Sequence, residues 1–148
     1  MWKVTIPRHA WIALCNGGRG LILQNDGDSA NLELRTVASY EVELPPTRDL
    51  GAAPPGRVTG PMGMPRSAVE APDLHERAEA EFLHRFVHAL DEHTRRMPQA
   101  RLIIVAPPRV LGRLRKALSP TLRDRLFAEI PRNVALHTVD EIKNKLSA

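Results

Sequence analysis

Short unbroken apolar runs alternate along this chain with longer stretches in which apolar residues recur every third or fourth position. Trp11-Ile-Ala-Leu-Cys15 and Leu21-Ile-Leu23 read as two strands, and Asn16-Gly17-Gly18-Arg19-Gly20 supplies the positive φ values of a tight hairpin between them. These glycines carry no Gly-Lys-Ser/Thr ending and open no helical pattern, so they predict a turn and not a phosphate loop. Asn25-Asp-Gly-Asp28 predicts the next turn. Partial alternation through Leu32, Leu34, Tyr40 and Val42 then predicts a third strand within Asn31–Glu43. Leu102-Ile-Ile-Val105 is a continuous apolar run, the pattern of a strand covered on both faces.

Residues 45–72 are rich in proline and glycine with small residues between, a composition that predicts a long loop. From Asp73 to about Met97 the pattern becomes helical, with Leu74, Ala78, Phe82, Leu83, Phe86, Val87 and Leu90 forming one stripe. Asp73 is the expected N-cap, Glu76 completes a capping-box-like pair, and Pro98 stops the helix. After the buried run, Pro107 and Pro108 make a corner into a second helix. At 100° per residue, Val110, Leu111, Leu114 and Leu118 share one side of it while Arg109, Arg113 and Lys116 share the other. Ser119-Pro120 opens a further helix carried by Leu122, Leu126, Phe127 and Ile130 and ended by Pro131. Val134–Thr138 reads as a short strand and Val139–Leu146 as a final helical turn or two. These elements predict an α/β fold, a mixed sheet with packed helices, in a single domain over residues 1–148.

Composition narrows the picture. A chain of 148 residues buries roughly 70% of its unfolded surface, enough for a core without staples. Apolar residues make up 43% but aromatics only 4%, so the core is aliphatic and platforms for base stacking are scarce. Cys15 is the single cysteine, which excludes an internal disulfide, fits a reducing compartment, and reads as a small core residue. Eight basic residues against Asp124 and Glu129 lie between Arg101 and Arg132, so positive charge gathers in the C-terminal third. That polarity suits RNA or another polyanion. No signal-peptide pattern and no run long enough to span a membrane are present, so a cytoplasmic protein without membrane insertion is expected.

The candidate chemistry is anion binding. A strand feeding a helix brings the basic face of Arg109, Arg113 and Lys116 to the carboxyl end of the sheet, beside a helix N-terminus. Arg57 and Arg66 of the proline-rich loop are added candidates, since that loop could fold over a polyanion. His84 and His88 stand four apart, yet no third ligand is placed, so no metal and no cofactor are expected. His75 and His93 read as boundary histidines near the apolar stripe. Asp73, His75 and Glu76 could polarise a water in a cleft, but helix capping already explains them, and catalysis is not expected.

The run Ala106-Pro-Pro-Arg-Val-Leu-Gly-Arg-Leu-Arg-Lys-Ala-Leu118 resembles the signature of the bacterial host-attachment protein family, with Pro107, Pro108 and Gly112 bearing its motif. Trp11-Ile-Ala-Leu, Gly18-Arg19, Pro55-Gly56-Arg57, Arg66–Glu70 and Asp140-Glu141-Ile142 are similar to other family segments in order. The resemblance implies the fold of the middle domain of archaeal and eukaryotic class-1 release factors, and a role near RNA or the ribosome. Release factors of that group carry a Gly-Gly-Gln tip. The corresponding stretch here, Gly60-Pro61-Met62-Gly63-Met64-Pro65, has no glutamine, which argues against hydrolysis of peptidyl-tRNA by that route. The expected function is therefore a non-enzymatic module that binds RNA or the ribosome. Its alternatives are a protein-partner role affecting host attachment indirectly and a release-factor-like hydrolase.

Overall fold

Two strands buried along their whole length form the centre of the structure: β1 (Trp11–Cys15) and, far along the chain, β4 (Leu102–Ala106). In chain order, the elements between and after them are β2 (Arg19–Asn25), β3 (Leu34–Glu41), α1 (Met64–Thr94), then α2 (Pro108–Ala117), α3 (Pro120–Arg125), β5 (Leu126–Pro131) and α4 (Val139–Leu146). The computed structural model describes residues 4–42, 64–134 and 137–146, with residues 64–74 described by their backbone alone.

β1 and β2 form the expected hairpin, antiparallel from Trp11 opposite Gln24 to Cys15 opposite Gly20. β4 lies parallel to β1 on its other side, with Trp11 opposite Leu102 and Leu14 opposite Val105. The sheet order is β3-β2-β1-β4-β5, a mixed sheet whose parallel half is joined by helical crossovers, as parallel pairing requires. Side chains alternate between the faces. Trp11, Ala13, Cys15, Leu102 and Ile104 meet Phe82, Phe86 and Leu90 of α1 and Leu111 and Leu114 of α2. Ile12, Leu14, Ile103 and Val105 meet Ile6, Leu32, Ile142 and Leu146 on the other side. Helices on both faces are what let β1 and β4 be apolar at every position.

Three expectations are corrected. The long helix begins at Met64, not at Asp73, and runs through Pro72 where a loop was expected. Pro65 occupies a first-turn position that tolerates it, and Ser67–Ala71 carries no residue that forbids a helix. Pro72 removes a single backbone donor, so Asp73 and Glu76 lie inside the helix and do not cap it. Secondly, residues 126–131 are strand and not helix. Ser119 caps α3 by accepting from the Leu122 N–H at 3.1 Å, but that helix stops after six residues. Pairing with the open edge of β4 then supplies backbone partners that a helix ending at Pro131 would have supplied locally. Thirdly, Val134, His137 and Thr138 are not strand, and residues 135–136 lie outside the described residues. The remainder of the expected loop, residues 45–63 with Arg48 and Arg57, also lies outside them.

Candidate anion-binding surface at the carboxyl edge of the sheet

The carboxyl ends of β1 and β4 fall on the same edge because the two strands are parallel. At the end of β1, the Asn16 side chain accepts from the backbone N–H groups of Gly18 (3.1 Å) and Arg19 (2.7 Å). Gly17 takes φ +95°, and the missing Cβ matters: one placed there would lie 2.7 Å from Oε2 of Glu79 on α1. At the end of β4, Pro107 turns the chain and Pro108 opens α2, whose first turn has no side-chain cap. Val110, Leu111 and Leu114 anchor α2 on the sheet, and Arg109 and Arg113 reach carboxylates of α1.

Arg109 donates to both oxygens of Glu79, at 2.7 and 2.9 Å, in the forked geometry that a guanidinium and a carboxylate prefer. Arg113 stands 3.5 Å from Glu79 and 3.7 Å from Glu76. The hydrogen bond from Arg109 is the main cause that lowers the Glu79 carboxyl below its ordinary value, with the charges of Arg109 and Arg113 adding to it against the cost of burial. The same bond raises Arg109. Cys15, at the end of β1, is pushed up to about 11, mainly by burial and further by Glu79, while backbone hydrogen bonds from Gly17 and Asn16 oppose the rise. The thiol stays protonated near neutral pH and is a core group, as expected, and not a nucleophile.

The sequence candidates meet different fates. Arg109, Arg113 and Lys116 do share one side of α2, but two of the three already hold carboxylates of α1. Lys116 is exposed and has no ion-pair partner among the described residues. Arg115, the neighbouring cation, is forked onto Glu129 of β5 at 2.6–3.0 Å. Pro107 and Pro108 make the corner, whereas Gly112 is open, since a Cβ there would meet nothing within 4 Å. Arg66 and Asp73 lie in the backbone-only part of α1, and Arg57 lies outside the described residues. His75 is exposed and so is not a boundary histidine, while His93 is half-buried with its Nε2 3.3 Å from the Tyr40 hydroxyl.

Glu79 was not singled out by sequence reasoning. Its spacing after Glu76 puts both carboxylates on one helical face, but nothing in a sequence says which helix that face meets. Among the described residues, no group of three His, Cys, Asp or Glu side chains could hold a metal. His88 instead contacts Glu92 at 2.7 Å. A cavity of about 40 Å³ under α4, lined by Cys15, Asn16 and His137 among others, has room for water and not for a substrate. No helix among the described residues is long and apolar enough to cross a membrane.

No curated protein sequence matches the chain. The family model named bacterial archaeo-eukaryotic release factor family 12 matches residues 9–146, the span that holds the whole sheet, both helical layers and the Glu79–Arg109 edge. That match bears out the release-factor side of the resemblance and agrees with the mixed five-stranded α/β domain. The chain belongs to bacterial archaeo-eukaryotic release factor family 12.

Proposed function

We propose that this release-factor-family domain is a non-enzymatic binding module of the cytoplasm that contacts RNA or the ribosome through the outer side of α2. Arg109, Arg113 and Lys116 are its phosphate-facing groups, with Arg57 and Arg66 added from the segment before and at the start of α1. The observation that carries the reading is exposure: the Arg109 side chain remains 61% exposed while it holds Glu79, so a phosphate can reach the guanidinium from solvent. Lys116 on the same side has no ion-pair partner among the described residues and can meet a second phosphate. Each phosphate neutralised releases counterions, so binding weakens with salt.

The test is co-sedimentation with ribosomes and binding to single-stranded RNA, each at low and high salt. Changing Arg109 and Arg113 together to Glu abolishes binding on this reading, and unchanged affinity at low salt would overturn it. Because both arginines hold α1, Lys116→Glu serves as the variant that breaks no ion pair among the described residues. It weakens binding and reduces the salt slope by about 1.

A second reading, a protein partner through which the domain affects host attachment indirectly, is favoured by the Ala106–Leu118 run alone. Cell fractionation and partner capture address it. The hydrolase reading has least support, since the stretch Gly60–Pro65 offers no glutamine to orient a water.

A further inference from the structure

At the opposite edge of the sheet, β5 carries a bulge. Leu126 pairs with Leu102 and Ala128 with Ile103, which leaves Phe127 between them with no partner on β4. Leu126 packs on the α1 side of the sheet and Ala128 on the α4 side, so the extra residue is squeezed out and Phe127 is 44% exposed. The Arg101 guanidinium stands 5.5 Å from the centre of that ring. Arg125, two residues before Phe127, donates to the Thr94 hydroxyl at 2.6 Å, which brings the end of α1 and the exposed Arg95 and Arg96 to the same corner. Arg96 also lines a groove of about 520 Å³ with Arg8, His9 and Met97, and the groove ends at Ala100, next to Arg101. Among the described residues, Arg95, Arg96 and Arg101 have no carboxylate within ion-pair distance.

We propose that Phe127 and Arg101 form a stacking site for an unpaired base of single-stranded RNA, with Arg95 and Arg96 holding the flanking phosphates. A bulge blunts an edge strand against pairing with another chain, but any polar residue serves that purpose. A phenylalanine there packs only in part, against Arg101, and leaves apolar surface that a ligand can cover. Phe127 and Met97 are the large exposed hydrophobics among the described residues, too little for the core of a protein interface. An arginine against an exposed aromatic ring, with two further exposed arginines at the nearby end of α1, matches a ligand that alternates flat bases with negative charge. The inference rests on the RNA reading for the class of ligand, but it places the base contact on Phe127 and Arg101 and not on α2.

The probes are a fluorescein-labelled oligouridylate and an abasic ribose-phosphate chain of the same length, followed by anisotropy at low and high salt. Phe127→Ala weakens oligouridylate binding by roughly 5- to 150-fold at either salt, because stacking releases no counterions. It leaves binding of the abasic chain unchanged, and Phe127→Tyr keeps the wild-type affinity. Oligouridylate binding that survives Phe127→Ala but is lost in Lys116→Glu overturns this inference and leaves the α2 reading standing. Binding lost in Phe127→Ala but kept in the α2 variants supports the inference and overturns that reading. A wild-type protein that binds neither probe overturns both, and equal losses on the two probes overturn the stacking role.

Discussion

The two edges of the sheet carry comparable numbers of arginines and use them differently. At the carboxyl edge, Arg109 and Arg113 are held by Glu79 and Glu76, and Gly17 yields its side-chain space to a carboxylate; farther along α2, Arg115 is held by Glu129. At the amino edge, Arg95 and Arg96 stand in solvent and Arg101 leans on an exposed ring. A charge count over the C-terminal third cannot separate these cases. Whether a cation is available to a ligand depends on what its neighbours across the fold have already claimed. A guanidinium forked onto a carboxylate must lose that bond, or share it, before it serves a phosphate.

If carboxylates hold the arginines of the carboxyl edge and leave those of the amino edge exposed, chemistry and stability should divide along the same line. The largest effect is expected at Cys15. A thiol raised to about 11 and only 2% exposed should exchange with an aromatic disulfide at mildly alkaline pH at least ~100-fold more slowly in the folded protein than in denaturant. Comparable rates would mean that this edge opens readily. Next comes Gly17→Ala, which must hold a side chain at φ +95° against Glu79 and should cost about 1–3 kcal/mol in urea unfolding. The same change in a Glu79→Ala background should cost less by at least ~0.5 kcal/mol, and strict additivity would break the link between the turn and the carboxylate.

Glu79→Gln is a smaller perturbation. At neutral pH a loss of about 0.5–1.5 kcal/mol is expected, because amide replaces a charge-assisted acceptor. Its pH dependence has a definite sign. The folded carboxyl lies below its ordinary value of 4.5, so the stabilisation is complete above that value and disappears as pH falls through the lower folded one. Wild type and variant should therefore converge in acid, and a gap that widens below pH 4.5 would contradict the assignment. The smallest effect belongs to the amino edge. Phe127→Ala and Arg101→Gln should each leave unfolding free energy within about 0.5 kcal/mol of wild type. A loss of several kcal/mol would place the Phe127 ring in the core and erase the contrast between the edges.

Much of the fold was legible in the pattern of residues. The β1–β2 hairpin, the buried run of β4, the Pro107-Pro108 corner and the two-sided α2 all lie where local signals put them. Each depends on a period or a turn that a few neighbouring residues specify. The failures share a cause as well. The composition of residues 45–72 read as loop, yet a helix that packs on a sheet extends back to Met64 and outweighs the donor lost at Pro72. Leu126, Phe127 and Ile130 fit a helical stripe as well as a strand, and a short segment of this kind is settled by which backbone partners lie nearby. The basic side of α2 was readable as a face but not as an occupied one, since Glu79 lies 30 residues before Arg109 and Glu76 lies earlier still.

The sequence alone determined the class of fold, the apolar centre of the sheet and the identity of the basic helix, because periodicity and chain stiffness act over a few residues. The tertiary structure decided that residues 126–131 close the sheet as an edge strand and that a bulge turns Phe127 outward. It also decided which arginines are paired and which stand free. Those outcomes depend on contacts between segments far apart in the chain, where backbone groups and charges find partners that no local pattern records.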